Sequence, residues 1–179
     1  MNYDNLNELE GVWCRKINSF GDSRGEFKEI FEKKLLPVEV NFVLSSISFS
    51  NRNVFRGMHL QKDQWQLVTV LNGSVLDLLI DSRKHSNTYG EVTTIELSAE
   101  AGYCQLLIPP GIFHGYLVKS EFVTINYMSS EYYLPMMQSG INYMSPEILS
   151  KLPQTRLTVS KRDKSFNYYN DVMAKLKLN

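Results

Sequence analysis

The run Phe55-Arg56-Gly57-Met58-His59-Leu60-Gln61 places a guanidinium, a conformationally permissive glycine and an imidazole close together. On an extended chain His59 and Gln61 would share a face. A pocket lined by that face would hold a proton acceptor working near neutral pH, beside a fixed positive charge suited to a phosphate. Read alone, the same residues also fit an ordinary half-exposed strand. Of the other two histidines, His85 lies in the polar run Arg83-Lys84-His85-Ser86-Asn87 and is expected to be solvated, while His114 follows Pro110-Gly111-Ile112-Phe113.

The elements that would position these groups are mostly strands. Residues 22–25 read as a turn feeding a strand through Phe27, Glu29 and Phe31, and residues 40–50 are rich in β-branched and aromatic side chains. Residues 65–71 and 75–81 alternate around Asn72-Gly73, which predicts a hairpin between them. Further short strands are expected at 91–97, 105–108, 115–118 and 122–128, separated by turn-rich links such as Pro109-Pro110-Gly111. Such spacing indicates a sandwich or barrel. Toward the end, Ser145-Pro146-Glu147 starts a helix that Pro153 limits to about two turns, and Phe166, Tyr169, Met173 and Leu176 predict a helix over 164–177 packed on the sheets.

The 179 residues fit a single domain, 1–179, with 43% hydrophobic content. Lys+Arg and Asp+Glu balance at 19 each, without basic runs, which argues against a nucleic-acid partner. No membrane-length apolar stretch and no basic, apolar leader are evident, so a cytoplasmic location is expected. Cys14 and Cys104 have no C-x-x-C spacing and fit reduced, buried thiols.

The ordered series D-S-R-G-E-F-K-E-I-F (22–31), R-G-M-H-L-Q (56–61), L-N-G-S-V-L-D-L-L-I-D (71–81), P-P-G-I-F-H-G-Y (109–116) and Y-M-S-S-E-Y-Y-L-P (127–135) resembles the dTDP-4-dehydrorhamnose 3,5-epimerase family along nearly the whole chain. The resemblance implies an all-β, cupin-type jelly roll, a double-stranded β-helix sandwich with short C-terminal helices. It also implies a homodimer without cofactor or metal, epimerising a nucleotide-diphosphate 4-keto-6-deoxy sugar, GDP- or dTDP-linked, for bacterial surface polysaccharide. A C–H beside a ketone is acidic because its anion is an enolate, so inversion needs a base on one face, an acid on the other and a donor for the oxyanion.

By resemblance, His59 corresponds to the base, Asp163 to the carboxylate that holds it and Tyr127 to the acid. Asp163 could instead cap the helix predicted after it, and Tyr127 is one of ten tyrosines. Arg56 and Arg24 match arginines that hold the diphosphate, Arg24 across a dimer interface, with Phe27 and Glu29 beside the nucleotide. Arg24 read without the resemblance is a surface charge on a turn. His114 matches a histidine near the active site, and is otherwise a core histidine satisfied by backbone carbonyls.

The family usually carries a lysine where this chain has Gln66, and often an asparagine at Ser46; the loop between His59 and Gln66 is also short. An amide donates a hydrogen bond but supplies no charge. These departures resemble the branch acting on GDP-linked 4-keto heptoses for capsule. Two other classes stand beside the epimerase: a catalytically silent sugar-nucleotide binder, and a metal-dependent cupin oxygenase or isomerase using His59 and His114. The last is short of ligands, because Gln61 replaces the second histidine of an H-x-H pair.

Overall fold

The computed structural model describes residues 2–132, 134 and 138–178. Its strands begin with β1 (Asp4–Asn5), β2 (Trp13–Arg15), β3 (Ser19–Asp22), β4 (Gly25–Lys28), β5 (Leu44–Asn51), β6 (Phe55–Gln61) and β7 (Gln66–Asn72). They continue with β8 (Ser74–Asp81), β9 (Val92–Ser98), β10 (Gln105–Ile108), β11 (Ile112–Val118), β12 (Phe122–Ser129) and β13 (Gln138–Gly140). Three helices follow, α1 (Pro146–Leu149), α2 (Lys161–Lys164) and α3 (Tyr169–Leu178). One antiparallel sheet has the order β1-β2-β10-β7-β12-β5, the other β13-β6-β11-β8-β9, and β3-β4 forms a separate hairpin. The two large sheets enclose a core that includes Val68, Val70, Leu79, Leu106, Tyr116 and Ile125, a sandwich as the strand spacing indicates and the jelly roll that the resemblance implies.

A second apolar layer lies where the helices meet the five-stranded sheet. Ile148, Leu152, Val172 and Met173 pack with Phe55, Leu78, Ile80 and Phe113. Helices of four and ten residues are too short to persist in water alone. Burial at ~1.5–3 kcal/mol per large apolar side chain is what keeps them in place.

The predicted hairpin at Asn72-Gly73 is corrected. The chain does turn there, with Gly73 at φ +76° and the Ser74 N–H donating to Ser120 Oγ at 2.9 Å. But β7 pairs with β10 and β12, whereas β8 pairs with β9 and β11, so the turn carries the chain from one sheet into the other. Turn chemistry shows where a chain reverses; which sheet receives the next strand depends on distant partners.

Other boundaries move as well. The strand expected through Phe31 stops at Lys28, the one expected from residue 40 starts at Leu44, and the one expected from 115 already begins at Ile112. β1, β2 and β13 are two or three residues long, too short to carry an alternating pattern. The single helix over 164–177 is two helices, and Phe166 lies between them with its ring against Gly140, where a Cβ would clash. Cys14 and Cys104 are buried free thiols. Tyr133 and Pro135 of the quoted motif lie outside the described residues.

Gly57 sits inside β6 with φ +131°, and a Cβ there would come 2.5 Å from Gly115 Cα. The register of β6 against β11 shifts between His114 and Tyr116, at this close approach. Glycine on both strands lets the backbones touch and holds His59 opposite His114. Gly57→Ala is expected to cost ~1–3 kcal/mol by overpacking, more if the positive φ resists. The urea midpoint should fall at unchanged slope, and a wild-type midpoint would show that the contact yields freely.

Candidate active site

A cleft of about 700 Å³ opens over the pocket face of β5, β6, β11 and β12, and is closed on one side by residues 158–163. Period-two alternation supplies much of its lining: Ser46 and Ser48 from β5, His59 from β6, His114 and Tyr116 from β11, and Tyr127 from β12. Arg56, Gln66, Arg162 and Asp163 complete the polar wall.

His59 Nε2 lies 2.9 Å from Asp163 Oδ1, with the carboxylate side chain 6% exposed and the imidazole 32%. An ionised carboxylate only accepts, so Nε2 carries the proton and Nδ1 keeps the lone pair. Asp163 Oδ2 accepts the Gly57 N–H at 3.3 Å. Ser160, not Asp163, caps α2, its Oγ accepting the Asp163 N–H at 3.0 Å. That corrects the helix-cap alternative: the carboxylate, freed from capping, reaches across to β6. Burial pushes the Asp163 carboxyl up, but the bond and charge of His59, the Gly57 N–H and Ser160 outweigh it and leave it below the usual carboxylate range. The Phe166 ring meets the imidazole edge to face at 5.8 Å and limits its rotation.

Opposite stands Tyr127, whose hydroxyl is 3.3 Å from Ser48 Oγ. Burial, then the neighbouring Tyr116, push this phenol well above its ordinary value, so it holds its proton at neutral pH. His114 is 7% exposed, and its Nε2 lies 2.8 Å from Asp77 Oδ2. Its partner is thus a fully buried carboxylate and not the backbone carbonyls expected of a core histidine. Burial raises the Asp77 carboxyl and the adjacent His114 only partly offsets this; Asp77 Oδ1 is buried without a partner. Both pocket imidazoles therefore face a carboxylate, and among the described residues no group of three or more potential metal ligands occurs.

Gln66 lies in the cleft, but its Nε2 donates to Gln64 Oε1 at 2.6 Å. Arg56 Nε donates to Ser50 Oγ at 2.9 Å. Arg24, Phe27 and Glu29 are not in the cleft of this chain. Arg24 pairs with Asp22 on the detached β3-β4 hairpin and is 88% exposed. His85 lines a separate cleft with Lys62 and Lys84. Sequence reading missed Ser48, Tyr116, Arg162 and Phe166; the alternation Ser46-x-Ser48-x-Ser50 was the one available signal for a hydroxyl-lined face.

A jelly-roll cleft that sets a carboxylate-held imidazole against a protonated phenol pairs a proton acceptor with a proton donor, the equipment of an acid–base enzyme. A profile of the dTDP-4-dehydrorhamnose 3,5-epimerase family matches residues 7–171. The dTDP-4-dehydrorhamnose 3,5-epimerase of Methanothermobacter thermautotrophicus is 36% identical over 166 residues, covering 88% of this chain and 89% of its own. The Escherichia coli enzyme of that name is 35% identical over 179 residues, covering 96% of each. The crystal structure of the Legionella pneumophila dTDP-6-deoxy-D-glucose-3,5-epimerase, in complex with dTDP-4-keto-L-rhamnose, superposes with a TM-score of 0.88 at 31% identity, covering 98% of this chain and 96% of its own. The chain belongs to the dTDP-4-dehydrorhamnose 3,5-epimerase family, and is an isomerase. No helix among the described residues is long and apolar enough to cross a membrane.

The depressed Asp163 carboxyl makes a pH-dependent contribution to stability. A carboxyl whose folded value lies below its unfolded value of about 3.9 stabilises the fold above that pH and stops doing so as pH falls through the folded value. Wild type is therefore expected to exceed Asp163→Asn in stability near neutrality, with the gap closing below about pH 4. Denaturation at a series of pH values checks this; a constant gap would mean that the charge contributes nothing.

Proposed function

We propose that this chain epimerises a dTDP-linked 4-keto-6-deoxyhexose at carbons beside the ketone, through an enolate. The observation that carries the proposal is the opposition of His59, held by Asp163 at 2.9 Å, and Tyr127 across one cleft. His59 Nδ1 takes the proton from carbon, and the imidazolium formed is stabilised by Asp163. Tyr127 returns a proton from the other face. Arg56 offers a guanidinium for the diphosphate. Ser46, Gln66 and His114 are proposed to contact the sugar or nucleotide. The GDP-linked heptose suggested by Gln66 and Ser46 has no counterpart among the relatives named above, whose names are all dTDP. Surface polysaccharide synthesis in the cytoplasm is the setting consistent with such a product.

Incubation with a dTDP-linked 4-keto-6-deoxyhexose in deuterated water tests the reading, because an enolising enzyme must wash deuterium into the sugar. His59→Asn is expected to lower exchange by at least ~10²-fold while nucleotide binding persists. Tyr127→Phe should still exchange but not accumulate epimer. An exchange rate for His59→Asn within a few-fold of wild type would make His59 structural and sink the mechanism.

We also infer that two copies pair, with Arg24, Phe27 and Glu29 of one chain serving the cleft of the other. In support, the β3-β4 hairpin stands apart from both sheets and exposes Phe20 and Phe27, which are cross-strand partners, while Phe49 and Phe122 stack on the surface at 6.2 Å. Sedimentation at micromolar concentration should give a dimer; a monomer with full activity would contradict it.

A further inference from the structure

The acid side of the cleft continues beyond Tyr127 as a line of hydroxyls. Tyr127 Oη lies 3.3 Å from Ser48 Oγ, Ser48 Oγ lies 3.0 Å from Tyr116 Oη, and Tyr116 Oη lies 3.4 Å from Ser50 Oγ. At the far end Arg56 Nε donates to Ser50 Oγ at 2.9 Å. The line joins β12 and β5 of one sheet to β11 and β6 of the other. Tyr116 is 2% exposed, in the core between the sheets, where a phenylalanine would pack as well and leave no hydroxyl to satisfy.

A guanidinium only donates, and that sets the sense of the line. With Arg56 donating to Ser50, the Ser50 hydroxyl donates to Tyr116, Tyr116 to Ser48 and Ser48 to Tyr127. In the opposite sense Ser50, 5% exposed, would accept from both Arg56 and Tyr116, and its own proton would face no acceptor among the described contacts. The favoured sense leaves Tyr127 as the last acceptor, with its own proton released toward the cleft.

We propose that Tyr116, acting through Ser48, is a positioning residue that aims the Tyr127 hydroxyl at the substrate, with the Ser48 hydroxyl as the donor that meets the phenolate it becomes. The proposal rests on the epimerase reading above. In the step concerned, the Tyr127 O–H bond breaks and its electron pair stays on oxygen as phenolate, while the enolate's electron pair forms the new C–H bond with that proton. At 3.3 and 3.4 Å the outer links are longer than the ~2.7–2.8 Å usual for hydroxyl pairs. A phenolate draws such donors in, so the line contributes more after proton transfer than before it.

Wild type, Tyr116→Phe, Ser48→Ala and Ser48→Thr are compared with a dTDP-linked 4-keto-6-deoxyhexose in deuterated water, following deuterium gain and epimer on the same sample. Ser48→Ala is expected to slow epimer formation roughly tenfold, the worth of one hydrogen bond to a charged oxygen, and Tyr116→Phe, which leaves Ser48 unaimed, to slow it by several-fold to tenfold, with deuterium gain on the His59 side unchanged in both. Ser48→Thr, which keeps a hydroxyl, should restore inversion. In a Tyr127→Phe background, adding Tyr116→Phe should change nothing further. A general loosening of the core would lower exchange and inversion together, and that outcome overturns the proposal, as does a Tyr116→Phe enzyme that inverts at the wild-type rate. A wild-type protein that washes in no deuterium overturns the epimerase reading itself and the proposal with it.

Discussion

The bond between His59 and Asp163 is the interaction on which the rest of the site depends. It joins a strand of the five-stranded sheet to a one-turn helix 104 residues later in the chain. The carboxylate receives the Gly57 N–H on its other oxygen, so one side chain ties down both the imidazole and the backbone that carries it. A buried carboxylate without these donors would be strongly disfavoured as an anion. With them, its charge fixes the imidazole tautomer and favours an imidazolium over a neutral ring. The close approach of Gly57 to Gly115 serves the same geometry, because it sets the register of His59 across from His114.

The two walls of the cleft are electrostatically unlike. On the β6 side a carboxylate sits behind the imidazole and favours a positive charge there. On the β12 side the hydroxyl of Ser48 is the hydrogen-bonding neighbour of Tyr127, and burial keeps the phenol protonated, with the charge of Asp77 a smaller push in the same direction. One wall is thus poised to take a proton and the other to hold one. The difference comes from what stands behind each group, not from the groups alone.

Much of this was legible in the sequence, and the remainder fails for physical reasons. Strand content followed from alternation, and the turn at Asn72-Gly73 from glycine's access to positive φ. The pairing of β7 and β8 was misread because both strands find partners far away in sequence. Phe166 kept helical spacing with Tyr169 and Met173, yet it leaves the helix to pack on Gly140 and the His59 ring. Periodicity records which residues are apolar; it does not record that one of them serves a site. The approach of Asp163 to His59 was visible only through resemblance to a family, since no local pattern links residues so distant. Ser48 and Tyr116 left a trace in the alternating serines of β5, but their contact crosses from sheet to sheet.

Gln66 leaves the cleft wall without a cation at that position. Its amide nitrogen is engaged by Gln64, and neither group can carry a positive charge. A second imidazole, His114, lines the same cleft, backed by Asp77 as His59 is backed by Asp163. Asp77 has its second oxygen, Oδ1, buried without a donor, and burial raises its carboxyl, with the adjacent His114 only partly offsetting this. The Gln66 amide keeps a second N–H beside the one given to Gln64, and it is a neutral donor. The lining of this cleft thus carries two imidazoles, each held by its own carboxylate, and a neutral amide at Gln66.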